Sequence, residues 1–250
     1  LQTMSIPVYV MRRNSTREVE EAAQHACRAN GPVALLVPPK VIGSLDPGNE
    51  DTIDPSVKPI DFVKATIQGA DDEAFYFGAT GFSARLLMSC AQQGLVDESR
   101  IFPLVGGMGH TFAVAARFAW SRPDLQVICL DGDGSLLMHT GALARASELS
   151  STRLLHIVLN NGSHQSVGGH PTIAPDCDFG GLAKIFGFRK IFSCSDPPKL
   201  RRIVKDNKQG RGAAFVEVKL ESDPFMKLPR PTSTPSEMLH NFRSKVDELG

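Results

Sequence analysis

The sequence lacks an excess of charge, a long apolar run and an obvious export signal. Its 250 residues include 27 Lys and Arg and 27 Asp and Glu. The formal net charge is therefore zero, which favours neither nucleic acids nor anionic membrane surfaces as partners. No run approaches the roughly 18 consecutive apolar residues of a membrane-spanning helix, and the N-terminus has no signal-peptide pattern. We therefore expect a cytoplasmic protein with no nucleic-acid or membrane partner.

Cysteines are few, and they are not grouped as in disulfide or metal frameworks. The five thiols are odd in number, and no two of them have C-x-x-C spacing. This pattern argues against a disulfide scaffold, structural zinc and an iron–sulfur cluster. Cys129 lies in the strand-like apolar run 125–130, and we predict that it is a core residue.

Apolar residues make up an ordinary 42% of the chain, and their spacing alternates between two periods. From about residue 58, segments with helical spacing alternate with short, nearly uninterrupted apolar segments. Such strands are typical of parallel sheets that are buried on both faces. The pattern predicts an α/β fold: a doubly wound parallel sheet with helices on both faces. The predicted helices are 58–69, 82–93, 109–121, 136–149, 179–186 and 197–206, and the predicted strands are 74–78, 125–130, 153–159, 189–193 and 213–219, with a short apolar segment at 101–105.

Segments on either side of this region suggest the domain boundaries. Ser15 and Glu18 have the spacing of a capping box and predict a helix over about 16–29, which a buried strand at 32–37 follows. Residues 44–60 are rich in Pro, Gly, Asp and Ser, a composition typical of linkers. The predicted boundaries are an N-terminal segment 1–43, the linker 44–60, a main domain 61–230 and a C-terminal tail 231–250, in which Ser236 caps a short helix.

Two acidic residues follow the strand predicted at 125–130. The stretch "LDGDGSLLMHTG" (130–141) places Asp131 and Asp133 between glycines, just before a helical pattern begins. Ligands of open parallel sheets bind beyond the carboxyl ends of the strands, where helix N-termini and bare glycine backbone favour phosphate oxygens. A carboxylate there repels phosphate unless a cation lies between them, so Asp133 predicts a divalent metal ion. Taken alone, the stretch is also typical of a tight turn or a calcium loop, although a helix begins where an EF-hand loop would continue.

The next predicted strand, 153–159, ends in "NNGS" (160–163). An asparagine side-chain oxygen and a backbone carbonyl are hard ligands that suit Mg²⁺. Alone, Asn-Asn-Gly is more typical of a turn. It follows D-G-D-G by about 25 residues, and each motif ends a buried strand, so together they predict that two strand ends converge on one ion.

Gly-Asp-Gly followed after about 25 residues by Asn-Asn resembles the motif of thiamine diphosphate-dependent enzymes. From about residue 15 to the end, the chain is similar to the C-terminal, diphosphate-binding half of the phosphonopyruvate decarboxylases and, less closely, to the sulfopyruvate decarboxylases. The stretches that carry this similarity are "GATGFSARLL" (78–87), "VGGMGHTFAVA" (105–115), "GDGSLLMHTGAL" (132–143), "NNGSHQSVGGHPT" (160–172) and "PRPTSTP" (229–235). The resemblance implies thiamine diphosphate and Mg²⁺ as cofactors. It also implies decarboxylation of a 2-oxo acid to an aldehyde, with phosphonopyruvate as the expected substrate in phosphonate biosynthesis.

The resemblance also assigns site residues, motif by motif. It implies that Asp133, Asn161 and the carbonyl of Ser163 are the metal ligands. It implies catalytic roles for Met108, which wedges the cofactor into a bent shape, and for His164, which faces the reacting carbon or the substrate. The cofactor-binding residues that it implies are Thr80, Gly81, Ser83, Gly106, Met108, Gly132, Asp133, Gly134, Ser135, Asn161, Ser163 and His164.

Several of these positions have ordinary structural alternatives or depart from the family pattern. Met108 is equally typical of a core gap-filler, and a lone loop histidine such as His164 is often a bystander. Arg85 matches a family arginine and is a candidate substrate contact, but it also fits a solvated helix face. Gln165 and His170 stand where the phosphonopyruvate enzymes carry an acidic residue and a glutamine. The acid group of the substrate, whether phosphonate, sulfonate or carboxylate, therefore stays open.

Enzymes of this type activate the cofactor with a glutamate on a separate pyrimidine-binding domain. Residues 1–43 resemble only the tail of that domain, and none of Glu18, Glu20 and Glu21 is assigned this role. We expect one subunit of a split enzyme rather than a fragment, in a homo-oligomer or hetero-oligomer with a chain that carries the pyrimidine-binding domain and its glutamate. A non-catalytic regulatory subunit is an alternative. The β subunit of a 2-oxo acid oxidoreductase is another, but it would favour clustered cysteines, which this sequence lacks.

Overall fold

The structure is a computed structural model of the chain. Its described residues are 1–13, 15–39, 41–42, 57–222 and 228–249, without the side chain of Gln2. The chain divides into two compact units, Leu1–Thr52 and Ile53–Gly250. The predicted linker 44–60 lies largely outside the described residues, and the assignment of residues 1–43 to a pyrimidine-binding domain stays a prediction.

The first unit is a small β-α-β element. Strand β1 (Val8–Val10) pairs in parallel with β2 (Ala34–Leu36), and helix α1 (Arg17–Ala29) connects them. The Ser15 hydroxyl donates a hydrogen bond to Glu18 Oε2 at 2.6 Å, so the predicted pair does meet. The contact joins two side chains, however, and the N-cap of the helix is Thr16, whose side chain makes no capping hydrogen bond.

The second unit is built on a six-stranded, wholly parallel sheet. The strands of this sheet are β3 (Phe75–Gly78), β4 (Ile101–Pro103), β5 (Gln126–Gly132), β6 (Arg153–Asn160), β9 (Lys190–Cys194) and β10 (Ala214–Lys219), and a short antiparallel hairpin adds β7 (Ser163–His164) and β8 (His170–Pro171). The strand order is β4-β3-β5-β6-β10-β9. The chain thus passes from β3 to one side of the sheet and returns to the other side at β5. This reversal creates a topological switch point at the carboxyl ends of β3 and β5.

Helices cover both faces of this sheet, as predicted. They are α2 (Pro59–Gly69), α3 (Phe82–Gln92), α4 (Thr111–Ser121), α5 (Asp133–Met138), α6 (Phe179–Ile185), α7 (Pro197–Asp206) and α8 (Pro235–Asp247). Alternate strand residues enter two separate apolar clusters: Ile128 packs with α2, α3 and α7, whereas Val127 packs with α4 and α6. Successive strand residues point to opposite faces, so the two clusters are the two layers of a doubly wound fold.

The helix predicted at 136–149 differs from the observed structure. Helix α5 begins earlier, at Asp133, and ends at Met138, and a 3₁₀ helix then runs from Thr140 to Glu148. The interruption lies at His139, whose backbone dihedrals (φ −144°, ψ 51°) are not helical. The prediction placed the helix start at residue 136 because the apolar pattern begins there. The acidic, glycine-containing segment that starts at Asp133 is itself the first turn of the helix.

The C-terminal helix is a structural part of the second unit. Helix α8 is capped by Thr234 and not by Ser236 as predicted, because Thr234 and Glu237 form a reciprocal capping box. Phe242 of this helix packs edge-on against Phe75 and Phe102, with ring centroids 5.3 and 5.2 Å apart. The helix thereby shields β4, which is an edge strand of the sheet.

A helix that crosses a membrane must be both long and apolar. In the part of the chain that the structure describes, no helix combines the length and the apolar character that a bilayer crossing requires.

Candidate cofactor site

A cleft opens at the carboxyl ends of β3, β5 and β6. Most of the predicted site residues line it, together with side chains from α2, α3 and the β7–β8 hairpin. The lining residues that were predicted are Thr80, Ser83, Met108, Gly132, Asp133, Gly134, Ser135, Asn161, Ser163 and His164. Gly81, Gly106 and Arg85 were also predicted but do not line it. The Arg85 guanidinium lies instead over the Phe82 ring, 5.7 Å from its centre.

Asp133, the first residue of α5, contributes a buried carboxylate to the cleft. Its Oδ2 accepts a hydrogen bond from the Thr172 hydroxyl at 2.5 Å. Burial raises the pKa of the Asp133 carboxyl above its usual range, against the opposing effects of the Thr172 hydrogen bond, the Gly134 N–H and the nearby His164. A carboxylate that burial makes costly to ionise gains most from a cation bound beside it.

The two asparagines at the carboxyl end of β6, Asn160 within the strand and Asn161 after it, have different surroundings. Asn161 lines the cleft; its Oδ1 accepts a hydrogen bond from the Ser163 N–H at 3.1 Å, and its Nδ2 donates to Gln165 Oε1 at 2.9 Å. Asn160 does not line the cleft, and its amide donates instead to Glu217 on β10. Of the two, Asn161 is the one whose side-chain oxygen a cation in the cleft could reach.

A hairpin that the sequence did not reveal closes one side of the cleft. Strands β7 and β8 pair in antiparallel fashion, and the Thr172 N–H donates to the Gly162 carbonyl at 2.8 Å, which ties the ends of the hairpin together. The His164 ring lies directly over Gly134: a Cβ added to that glycine would be 2.3 Å from the ring Cε1. Glycine at 134 is therefore needed for the packing of His164.

The loops after β3 and β4 are joined to each other and to α5. The Thr80 hydroxyl donates a short hydrogen bond to the Leu104 carbonyl. The N–H of Gly109, which has φ +86°, donates to Ser135 Oγ at 3.1 Å, so the segment that carries Met108 is held against α5. His110 follows this segment and contacts His139 through their Nδ1 atoms at 2.9 Å, outside the cleft lining.

The shape and donor set of the cleft suit a diphosphate with a divalent cation. Gly132 has an ordinary backbone conformation, and among the described residues no atom beyond its two chain neighbours lies within 4 Å of the position that its Cβ would occupy. A side chain there would project into open space, where a ligand can approach the bare backbone instead. The Asp133 carboxylate, the Asn161 amide oxygen and the Ser163 carbonyl are hard oxygen donors of the kind that Mg²⁺ prefers.

A second polar cluster lies next to the cleft but does not reach it. Cys129, Asp131 and His156 are buried, and their potential ligand atoms lie within 4.8 Å of one another. Asp131 Oδ2 lies 3.4 Å from His156 Nε2, and Asp131 Oδ1 accepts the Gly132 N–H at 3.0 Å. The register of β5 against β6 places Cys129 opposite His156, so sheet pairing assembles this cluster. Sequence reasoning predicted the burial of Cys129 but not its two neighbours.

Comparisons with known proteins agree with this geometry. Residues 79–218 match the family described as "Thiamine pyrophosphate enzyme, C-terminal TPP binding domain". The chain is 32% identical over 174 residues to phosphonopyruvate decarboxylase of Streptomyces viridochromogenes, an alignment that covers 70% of this chain and 42% of that protein. It is 32% identical over 130 residues to sulfopyruvate decarboxylase subunit beta of Methanothermobacter thermautotrophicus, covering 52% of this chain and 67% of that subunit.

Solved structures share the fold. The chain superposes on a thiamin diphosphate-dependent enzyme from Mycobacterium smegmatis with a TM-score of 0.52, at 17% sequence identity. It superposes on the thiamine diphosphate-dependent 4-hydroxybenzoylformate decarboxylase of Rhodococcus jostii RHA1 with a TM-score of 0.55, at 22% sequence identity. The alignment covers 87% of this chain and 44% of that one, so the chain spans less than half of the longer proteins that it matches. The family match over residues 79–218 includes the cleft lining from Thr80 to Ser166. The chain therefore belongs to the thiamine pyrophosphate enzyme family and carries its C-terminal TPP-binding domain.

Proposed function

We propose that this chain is the diphosphate-binding part of a thiamine diphosphate- and Mg²⁺-dependent decarboxylase of 2-oxo acids, with phosphonopyruvate as substrate. The observation that carries this proposal is the set of oxygen donors from Asp133, Asn161 and Ser163, which two adjacent strand ends bring to one cleft. The chain's membership in a TPP-binding family and the decarboxylase names of its relatives support the same reaction class.

In this proposal, the residues after β5 and β6 hold the cation and the diphosphate. Asp133 and Asn161 coordinate Mg²⁺ through side-chain oxygens, and Ser163 does so through its carbonyl. Gly132 gives the diphosphate access to the backbone, and the first N–H groups of α5, at Gly134 and Ser135, donate to it. Thr80 and Ser83 complete this end of the site from the loop and helix that follow β3, whereas Gly81 lies between them in sequence and outside the cleft lining.

Met108 and His164 act at the reacting end of the site. Met108 would support the bound cofactor from within the cleft, whereas Gly106, which the family motif assigns to the pyrimidine, lies outside the cleft lining. His164, held over Gly134, faces the substrate and orients its acid group or the reacting carbon. Bound thiamine diphosphate supplies the nucleophilic carbon and the electron sink for loss of CO₂. Arg85 is a weaker substrate candidate, since its guanidinium lies over Phe82 and outside the cleft lining.

We further propose that a second chain or domain supplies the pyrimidine-binding half and its glutamate. One relative is named a subunit beta, which supports assembly with a different subunit. The name of the same relative makes sulfopyruvate the second candidate substrate, and its identity to this chain, 32%, equals that of the phosphonopyruvate decarboxylase. Phosphonate and sulfonate are both anions that charge-assisted hydrogen bonds hold, so the geometry by itself favours neither.

The test is CO₂ release from phosphonopyruvate, sulfopyruvate and pyruvate, with thiamine diphosphate and Mg²⁺. The full-length protein would be assayed alone and with any protein that copurifies from its source. Turnover of phosphonopyruvate above the other two substrates supports the proposal, and turnover only with the copurified protein places the glutamate on that partner. Preference for sulfopyruvate supports the second candidate. No release of CO₂ under any condition, despite Mg²⁺-dependent cofactor binding, would instead favour a non-catalytic subunit.

A further inference from the structure

Thr172 connects the cleft to the C-terminal end of the β7–β8 hairpin. Its hydroxyl donates to Asp133 Oδ2 at 2.5 Å, although 39 residues separate the two in sequence. The same hydroxyl accepts the Ala174 N–H at 3.2 Å, and the Thr172 N–H donates to the Gly162 carbonyl at 2.8 Å. One residue thus joins the base of the hairpin, the chain that follows it and the carboxylate in the cleft.

The other end of the hairpin holds the second proposed cation ligand. The Ser163 N–H donates to Asn161 Oδ1 at 3.1 Å, and Gln165 Oε1 accepts a hydrogen bond from the Asn161 amide at 2.9 Å. The two ends of a single hairpin therefore restrain the side-chain oxygens of both Asp133 and Asn161. The segment between these ends carries His164.

A donor on one carboxylate oxygen restricts rotation of the whole group. A carboxylate has about four lone-pair positions, so the Thr172 hydroxyl leaves acceptor capacity for a cation on Asp133. Groups that orient a metal ligand in this way commonly change metal affinity by about 10- to 100-fold when they are removed. A hydroxyl has the further property that it donates to Asp133 while it still accepts from Ala174, which an apolar side chain of the same shape cannot do.

We propose that Thr172 is a positioning residue that couples occupancy of the cation site to closure of the β7–β8 hairpin. A cation bound at Asp133 and Asn161 stabilises the hairpin through both of its ends and so holds His164 over Gly134. Conversely, a closed hairpin presents Asp133 and Asn161 in the orientation that the cation needs. This coupling rests on the proposed function, because it takes Asp133 and Asn161 to be the Mg²⁺ ligands.

The test compares Thr172→Val, which keeps the side-chain shape and loses the hydroxyl, with Thr172→Ser, which keeps the hydroxyl. Thr152→Val is the matched control, since Thr152 is a buried threonine whose hydroxyl donates to the Leu149 carbonyl outside the cleft. Mn²⁺ binding would be measured by electron paramagnetic resonance on the full-length protein with thiamine diphosphate present. We expect Thr172→Val to raise the Mn²⁺ dissociation constant by about 10- to 100-fold and Thr172→Ser by less than about threefold. Thr152→Val should lower the melting temperature without changing the dissociation constant.

Hydrogen exchange of residues 163–172 provides a second readout, which can be followed in the unaltered protein as well as in the variant. In the unaltered protein, protection of these amides should rise with Mn²⁺ occupancy, and Thr172→Val should abolish that rise. If the unaltered protein binds Mn²⁺ with thiamine diphosphate but protection of the hairpin does not change, the coupling is wrong. Equal Mn²⁺ affinity in Thr172→Val and the unaltered protein overturns it as well. If the unaltered protein shows no cation-dependent cofactor binding, the proposed function itself fails.

Discussion

Asp131 and Asp133 are two residues apart and equally buried, with 1% and 2% of their surface exposed, but they have opposite surroundings. Asp131 lies beside the His156 ring within the cluster on the sheet face. Asp133 lies in the cleft, where its described side-chain donor is the neutral hydroxyl of Thr172. One carboxylate lies beside an imidazole ring of the protein, whereas the described side chains offer the other a neutral hydroxyl.

The difference teaches how to read paired acidic residues at the end of a strand. The Asp131–His156 pair stabilises the end of β5, and His156 also packs against Phe112, with ring centroids 4.7 Å apart. When Nε2 donates to Asp131, Nδ1 is left as a lone pair, and this matches its lack of a hydrogen-bond partner among the described residues. We therefore interpret Asp131 as a structural residue and Asp133 as a ligand. Four predictions test that division.

The largest expected effect is on cation-dependent cofactor binding. Asp133→Asn removes the charge that a divalent cation requires and should weaken thiamine diphosphate binding in the presence of Mg²⁺ by more than about 100-fold, since even indirect loss of ligand orientation costs 10- to 100-fold. Asp131→Asn is the matched control and should change the affinity by less than about threefold. Calorimetric titration of the full-length protein measures both. Equal losses in the two variants would contradict the division.

The second prediction concerns stability, for which we expect Asp131 to matter more than Asp133. Asp131→Ala leaves the His156 N–H and the Gly132 N–H without their acceptor in the core, which should lower the free energy of unfolding by about 2 kcal/mol. Asp133→Ala should lower it less, because burial already disfavours the ionised Asp133 carboxyl, whose pKa is raised. Urea unfolding without Mg²⁺ gives both values. A larger loss for Asp133→Ala would refute this assignment.

The third prediction concerns Gly132, which lies between Asp131 and Asp133 in sequence. It tests whether the diphosphate approaches the bare backbone at this position. In Gly132→Ala the new methyl group has open space, with no atom of the other described residues beyond its chain neighbours within 4 Å, so stability should be unchanged. The methyl group enters the space proposed for the diphosphate and should weaken cofactor binding about tenfold, or about 1.4 kcal/mol. Gly141→Ala, which also has open space around its Cβ but lies outside the cleft, is the control. Unchanged cofactor affinity in Gly132→Ala would argue against this placement of the diphosphate.

The smallest effect concerns the thiol of the buried cluster. Burial raises the pKa of Cys129 well above its usual range, with the Asp131 charge acting in the same direction. The unfolded thiol loses its proton first, near pH 8.5, so stability that is present below that pH is lost as the pH rises. Cys129 alone should contribute a fall of about 0.7 kcal/mol between pH 8 and pH 9. Urea unfolding across this range should show a shallower fall for Cys129→Ala. An identical slope in the two proteins would show that Cys129 ionises as easily in the folded state.

Sequence reasoning predicted which residues lie together at the cleft better than it predicted the bounds of the elements around them. Asp133 and Asn161 could be placed together because each follows a buried strand, and the carboxyl ends of parallel strands share one edge. The start of α5 was missed, since its first turn carries no apolar periodicity. The β7–β8 hairpin was missed because strands of two residues are too short to show alternation.

The amino-acid sequence by itself determined the alternation of helices and strands, the parallel sheet and the identity of the oxygen donors at the ends of β5 and β6. These features depend on local periodicity and on residue type, both of which are properties of the sequence itself. Only the tertiary structure decided that Asp131 meets His156, that Thr172 holds Asp133 and that His164 covers Gly134. Those contacts join residues 25 to 39 positions apart, and strand register and hairpin closure set them rather than any spacing in the sequence.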